Sequence, residues 1–323
     1  MSTEGGTRAV IAALSANIAI AVSKFVAWGL TGASSMLAEA IHSVADSGNQ
    51  VLLLIGGRAA TRPATPSHPF GYGRRRYLAA FVVSIVLFSL GGVFALYEAW
   101  HKLEETLAGH PNQLLESRWW WVPIVVLLVA IVAEGFSFRT ALHETHRARG
   151  SLRLTQFIHR AKSPELPVIL LEDAGALLGL VFALVGVTLT KITGIGYFDA
   201  AGTAMIGLLL VAIAVFLAVE MSSLLLGESA TDENIHRLEQ AVRTTSGVER
   251  LIHMKTVHLG PDELLVAAKV SMRPGQSVED VAATINRAEE AMRREVPIAR
   301  HIFIEPDIYD FNFNDPKLEI TGR

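Results

Sequence analysis

Apolar residues dominate six stretches of the chain, near 8–30, 34–56, 77–100, 119–141, 166–190 and 198–226. Each reaches the roughly 20 residues an α-helix needs to cross a hydrocarbon core. Past Gly227 the pattern changes. An amphipathic helix is expected from its N-cap Thr231 to about Thr244. Leu251–Leu259 and Leu264–Met272 read as strands joined by Gly260-Pro261-Asp262-Glu263, a hairpin turn signal. Ser277 caps a second helix, with Asp280 three residues on in a capping-box arrangement. Arg300–Ile304 closes the pattern as a short strand. The fold class is therefore a membrane α-helical bundle of six transmembrane helices followed by a small α+β (α-β-β-α-β) domain. The expected boundaries are 1–227 for the bundle, 228–308 for the α+β domain and 309–323 for a flexible tail.

Composition narrows the class. Of 323 residues, 51% are hydrophobic and 18% charged, against about 25% charged in soluble proteins. A disordered chain is excluded and an ordinary soluble enzyme is disfavoured. The net charge of −3 is too balanced for nucleic-acid binding. There is no cysteine, so disulfide scaffolds, zinc knuckles and thiol catalysis are excluded. Any metal must be held by His, Asp, Glu, Asn or backbone oxygen. The first stretch looks like a signal anchor but lacks a basic leader and a small-residue cleavage site, so it reads as a retained helix. Trp119, Trp120 and Trp121 open the fourth stretch as an interfacial aromatic belt.

Charge sets the expected orientation. Residues 1–227 hold 16 bases and 14 acids; residues 228–323 hold 12 bases and 17 acids. The loops after the second and fourth stretches carry eleven bases, among them Arg74, Arg75 and Arg76, and the opposite loops carry three: Lys102, Arg118 and Lys191. The positive-inside rule puts both termini in the cytoplasm of a plasma or inner membrane.

The chemistry lies in the polar residues of the spans, because an ionisable group in a bilayer is costly. Glu39, His42, Asp46 and Asn49 are spaced three, four and three residues apart. At 3.6 residues per turn they share one helix face. His42 and Asp46, one turn apart, let an imidazole nitrogen and a carboxylate converge on one cation. A tetrahedral site needs about four ligands, so a second helix must contribute. The fifth stretch offers Glu172 and Asp173, whose side chains point about 100° apart. One binds the ion while the other sits outside it or faces a water path.

The run His-Ser-Val-Ala-Asp-Ser-Gly-Asn-Gln at 42–50 resembles the second-helix motif of the cation diffusion facilitators. His-Pro-Phe-Gly-Tyr-Gly-Arg at 68–74 is similar to that family's loop between helices two and three. The resemblance implies a homodimeric exporter of a divalent metal, usually zinc, driven by inward proton flow, and not an enzyme. It carries His42, Asp46 and Asp173 over as metal ligands; Glu172 is added from its position and charge. Family members typically carry His-x3-Asp on helix five, and here Ile169 stands where the His would be. Leu170-Leu171-Glu172-Asp173 instead resembles the branch that includes mitochondrial zinc transporters. Lys269 and the run Ile304-Glu305-Pro306-Asp307 replace the His pattern of the cytoplasmic metal site, so none is expected there. Tyr72 stands where a loop ligand His often lies.

Other polar residues receive plainer readings. Glu134 is expected to pair with Lys24 or Arg139, and Glu98 to lie at the far interface. Asn49 and Asn17 read as helix-packing residues, His143 and His146 as solvated, and Gly91-Gly92 as a site of close helix packing. Zinc suits a His-plus-carboxylate site, with manganese, iron and cobalt as competitors. Metal and protons compete for the same groups, which gives antiport by alternating access. An intramembrane hydrolase using metal-bound water and a metal sensor are the rivals. The chain has no His-Glu-x-x-His or Gly-x-Ser-x-Gly.

Overall fold

The computed structural model describes residues 3–110, 113–150 and 152–309, with side chains of the first helix from Asn17 on. The expected tail 309–323 lies almost wholly outside the described residues. Two compact units emerge: Met1–Arg58 with Leu78–Ser222, and Ala59–Tyr77 with Ser223–Arg323.

The first unit is built from long helices: α1 (Thr3–Thr31), α2 (Ser34–Ala60), α3 (Arg75–Leu107), α4 (Trp121–Ala148), α5 (Glu165–Thr193) and α6 (Tyr197–Leu226). Among the described residues, α3 to α6 are long and apolar enough to cross a membrane. The described apolar part of α1 is shorter, Asn17–Thr31. In α2 the polar stripe dilutes the hydropathy that its length would otherwise carry. Two short helices, Gln113–Glu116 and Leu154–Arg160, were not anticipated. They follow short polar segments between spans.

Small residues set how closely these helices pack. Gly186 of α5 lies against Phe198 O and Gly202 of α6, and Gly202 returns the contact to Phe182 O; a Cβ at either glycine would stand 2.9 Å from that carbonyl. In a membrane, helix association depends on such close backbone approach. Within α3 the stretch Leu87–Val93 widens into a π-helix. It carries Gly91 and Gly92, and a Cβ on Gly92 would meet Val211 Cγ2 of α6 at 2.6 Å. A π turn inserts an extra residue and is common at functional sites.

The start of α2 is held by a residue the sequence pattern did not single out. Asp199 of α6, fully buried, accepts from Ser34 N at 2.8 Å, Ser34 Oγ at 3.0 Å, Ser35 Oγ at 2.5 Å and Ser35 N at 3.4 Å. The first N–H groups of a helix have no partner within it, and a carboxylate there also meets the positive end of the helix dipole.

The second unit contains α7 (Asp232–Arg243), β1 (Val248–Gly260), β2 (Glu263–Met272), α8 (Val278–Glu295) and β3 (Ala299–Asp307). The sheet order is β1-β2-β3. β1 and β2 are antiparallel, with Thr256 opposite Val266, and β2 and β3 are parallel, with Val266 opposite Ile302. Helix α8 makes the crossover that a parallel pair requires. Leu238, Val242, Leu264, Val266, Val270, Met292 and Ile302 form the core. Thr231 and Ser277 cap their helices as expected, and Ser277 with Asp280 completes the capping box. The last strand is longer than the apolar signal suggested. It continues through Glu305 to Asp307, where charged side chains are tolerated because Lys269 of β2 faces them at 3.3 and 2.8 Å.

The loop 61–74 belongs to this second unit. Gly73 lies against Leu259 O and Gly260 Cα, Arg76 bonds Asp262 at 2.8 Å and the Phe70 ring meets His301 edge-on. Tyr72 donates to or accepts from Thr65 Oγ1 at 3.1 Å and lies under the Arg75 guanidinium.

Candidate metal centre

Helix α2 presents its stripe as the spacing required. Glu39, His42 and Asn49 are at most 1% exposed. His42 Nδ1 lies 3.4 Å from Asp46 Oδ1 across one turn. Both ring nitrogens of His42, together with Asp46 Oδ1 and Asn49 Oδ1, are buried and make no hydrogen bond. Buried polar atoms are almost always paired, and each exception calls for an explanation, a bound ion among them. A lone pair on imidazole nitrogen and one on a carboxylate oxygen, aimed from one helix face, suit a cation.

Helix α5 supplies the opposing wall. Asn49 Nδ2 donates to Glu172 Oε1 at 2.7 Å, and the Asp46 carboxyl lies against that of Glu172. Asp173, next in sequence, turns the other way and accepts from Ser137 Oγ of α4 at 2.9 Å. The two acids thus divide as helical geometry demands: Glu172 lies with Asp46 and Asn49 of α2, and Asp173 faces α4. Among the described residues, no three His, Asp or Glu side chains close into a group able to hold a metal ion. The donors converge without forming a finished coordination shell. Gly91 in the π turn of α3 borders them, since a Cβ there would lie 3.7 Å from His42 Nδ1.

One expectation is corrected. Lys24 does not pair with Glu134: its Nζ donates to Glu39 Oε2 at 3.0 Å and Ser43 Oγ at 2.6 Å. A buried lysine reaches for the nearest carboxylate on its own side of the bundle, and that one lies on α2. Lys24 was legible only as a lone base in an apolar span. Asp199 was legible only as an acid three residues into the last one. Neither carries a spacing signal to a partner, because the partners lie on other helices.

In the second unit, outside the spans, Lys269 is held above the ordinary lysine range, chiefly by its hydrogen bond with Asp307 and next by Glu305. The same bond from Lys269 lowers Asp307. An ammonium occupies the place between these carboxylates.

Comparison with known proteins accords with both units. The cation efflux transmembrane domain matches residues 10–226, and the cytoplasmic domain of cation efflux proteins matches residues 230–309. The proton-coupled zinc antiporter SLC30A9, mitochondrial, of Xenopus laevis is 28% identical over 345 residues, covering 94% of this chain and 60% of that protein. Metal tolerance protein C4 of Arabidopsis thaliana is 27% identical, covering 88% of this chain and 61% of that protein. This chain thus spans about three-fifths of the length of the curated relatives it matches. A solved nickel form of the MamM C-terminal domain aligns with 25% of this chain at 14% identity and a TM-score of 0.24, too weak a likeness to bear on the fold. With residues 10–226 and 230–309 matched by these two family models, this multi-pass membrane chain belongs to the cation efflux, or cation diffusion facilitator, family.

Proposed function

We propose that this protein is a proton-coupled exporter of divalent transition-metal cations, zinc foremost, working by alternating access as a homodimer. The observation that carries this reading is the set of buried atoms on α2 that make no hydrogen bond, His42 Nδ1 and Nε2 and Asp46 Oδ1, with the Asp46 carboxyl against Glu172 of α5. His42 and Asp46 are assigned as ligands, with one of the α5 carboxylates Glu172 and Asp173 completing the site and the other supporting it from outside. The names of the zinc antiporters it resembles support zinc as cargo and protons as the counter-ion.

The chemistry follows from the donors. A metal binds imidazole and carboxylate only when they carry no proton, so metal and protons exclude one another at the site. Open to the cytoplasm, the site takes up metal and releases protons; open to the far side, protons displace the metal. All six long helices cross the membrane in this reading, with both termini in the cytoplasm and the membrane being the plasma or inner membrane. The unit spanning 228–308 provides the self-complementary dimer contact.

Uptake by proteoliposomes tests this. Zinc is expected to accumulate against its gradient when an opposing proton gradient is imposed, and His42→Ala is expected to abolish it. Manganese, iron(II) and cobalt, run in parallel, rank the alternatives. Glu172→Gln and Asp173→Asn separate the two acids: the ligand loses metal binding at all concentrations, the outer residue only weakens it, by about 10–100-fold. Zinc transport by His42→Ala at the wild-type rate would overturn the assignment.

A further inference from the structure

Glu39 lies one turn before His42 on the same face of α2, and its chemistry qualifies it as another metal ligand. Its carboxylate is already engaged. Lys24 of α1, 1% exposed, donates to Glu39 Oε2 at 3.0 Å and to Ser43 Oγ at 2.6 Å, and its Nζ lies 3.5 Å from the Glu39 carbonyl. All three acceptors lie on α2, within about a turn of one another. On the opposite side stands Gly179 of α5. A Cβ there would come 2.6 Å from Glu39 Oε1, so the glycine makes the room in which that oxygen sits. Glu39 Oε1 itself is buried and makes no hydrogen bond.

Stability alone gives little reason for this arrangement. A buried ion pair seldom outdoes an apolar pair of the same volume, because desolvation offsets the attraction. Three helices nevertheless shape themselves around one carboxylate: α1 supplies the ammonium, α2 the acid and α5 the missing side chain. The effect is to keep a hard anionic oxygen beside the His42–Asp46 pair and out of it.

We propose that Lys24 is a positioning residue that sets metal selectivity by holding the Glu39 carboxylate away from the ion site. The inference rests on His42 and Asp46 being ligands. With Glu39 withheld, the donor set gains no further carboxylate and its one imidazole keeps its weight, which favours zinc. Once released, Glu39 adds a hard oxygen and moves the site toward manganese, since carboxylate-rich sites suit Mn²⁺ and imidazole suits Zn²⁺.

The test is uptake of Zn²⁺ and Mn²⁺, measured in parallel in proteoliposomes of the full chain. Lys24→Met is expected to raise the manganese-to-zinc ratio about tenfold, about 1.4 kcal/mol between the two ions. The double variant Lys24→Met with Glu39→Gln, which has no carboxylate to release, is expected to return the ratio to wild type. A structural role predicts something different: both ions fall together and the ratio stays fixed. An unchanged ratio in Lys24→Met, or a raised ratio that survives Glu39→Gln, overturns the proposal. Where Lys24→Met fails to fold, Ser43→Ala decides, because it removes one of the anchors of the ammonium. A ratio shifted the same way supports the assignment, and an unshifted one overturns it. A wild-type chain that moves neither ion overturns the transport reading as well; one that moves zinc while the ratio holds in every variant overturns only the role of Lys24.

Discussion

Replacing Asp199 by asparagine probes how the bundle fastens α2. The carboxylate accepts the backbone N–H groups of Ser34 at 2.8 Å and Ser35 at 3.4 Å, one on each oxygen, plus both serine hydroxyls. Asparagine keeps the shape and turns one oxygen into an NH2 group. A serine hydroxyl rotates to accept from that group, but a backbone N–H cannot. Whichever way the amide faces, one N–H at the start of α2 loses its acceptor. An unsatisfied buried donor costs about 1–3 kcal/mol, and loss of the negative charge at a helix N-terminus adds about 0.3–2 kcal/mol. The sum is about 1–5 kcal/mol. At about 2–4 °C per kcal/mol for a body of this size, the melting temperature of the full chain in detergent falls by roughly 3–20 °C. The double variant Ser34→Ala, Ser35→Ala loses only hydroxyl bonds and leaves the N–H groups paired, so its fall is smaller. An Asp199→Asn protein that melts with the wild type, or above the double serine variant, refutes the argument that the carboxylate secures α2 through its backbone.

Other outcomes follow from single contacts. Gly202→Val drives a branched side chain into Phe182 O of α5, 2.9 Å from where a Cβ would stand; the expected result is lost folded yield by size-exclusion chromatography, and normal yield would count against close α5–α6 packing. Ser277→Ala removes a capping-box hydroxyl from α8, costing about 1 kcal/mol. Amide exchange in the first turn of α8 then quickens, and unchanged protection would contradict the cap. The Lys269–Asp307 pair contributes stability with a defined pH window. Asp307 is lowered from 3.8 when folded, so its contribution is present above 3.8 and is lost as pH falls through the lower folded value. Lys269 is raised from 10.5, so its contribution is present below 10.5 and is lost as pH rises through the folded value. Lys269→Met is therefore expected to flatten the acid limb of the stability profile of the second unit; an unaltered acid limb argues that the pair contributes nothing.

Features that depend on neighbours along the chain were readable from residue order alone. The runs that became α3 to α6, the stripe Glu39-His42-Asp46-Asn49, the hairpin at Gly260–Glu263 and the box at Ser277 and Asp280 each rest on spacings within one element, where 3.6-residue or two-residue periodicity fixes direction. The length of β3 was underestimated because its apolar signal ends at Ile304; the pairing of Glu305 and Asp307 with Lys269 across the sheet carries the strand on to Asp307. Which of Glu172 and Asp173 meets α2 was likewise undecided, since adjacent residues differ by about 100° and the rotation of α5 is set by its packing on α4 and α6. Lys24 with Glu39 joins residues 15 positions apart, and Asp199 with Ser34 and Ser35 joins residues 165 and 164 positions apart. No periodicity links such pairs. A buried charge takes whichever partner the folded bundle brings within reach, because leaving it unpaired in an apolar interior costs far more than the bond returns.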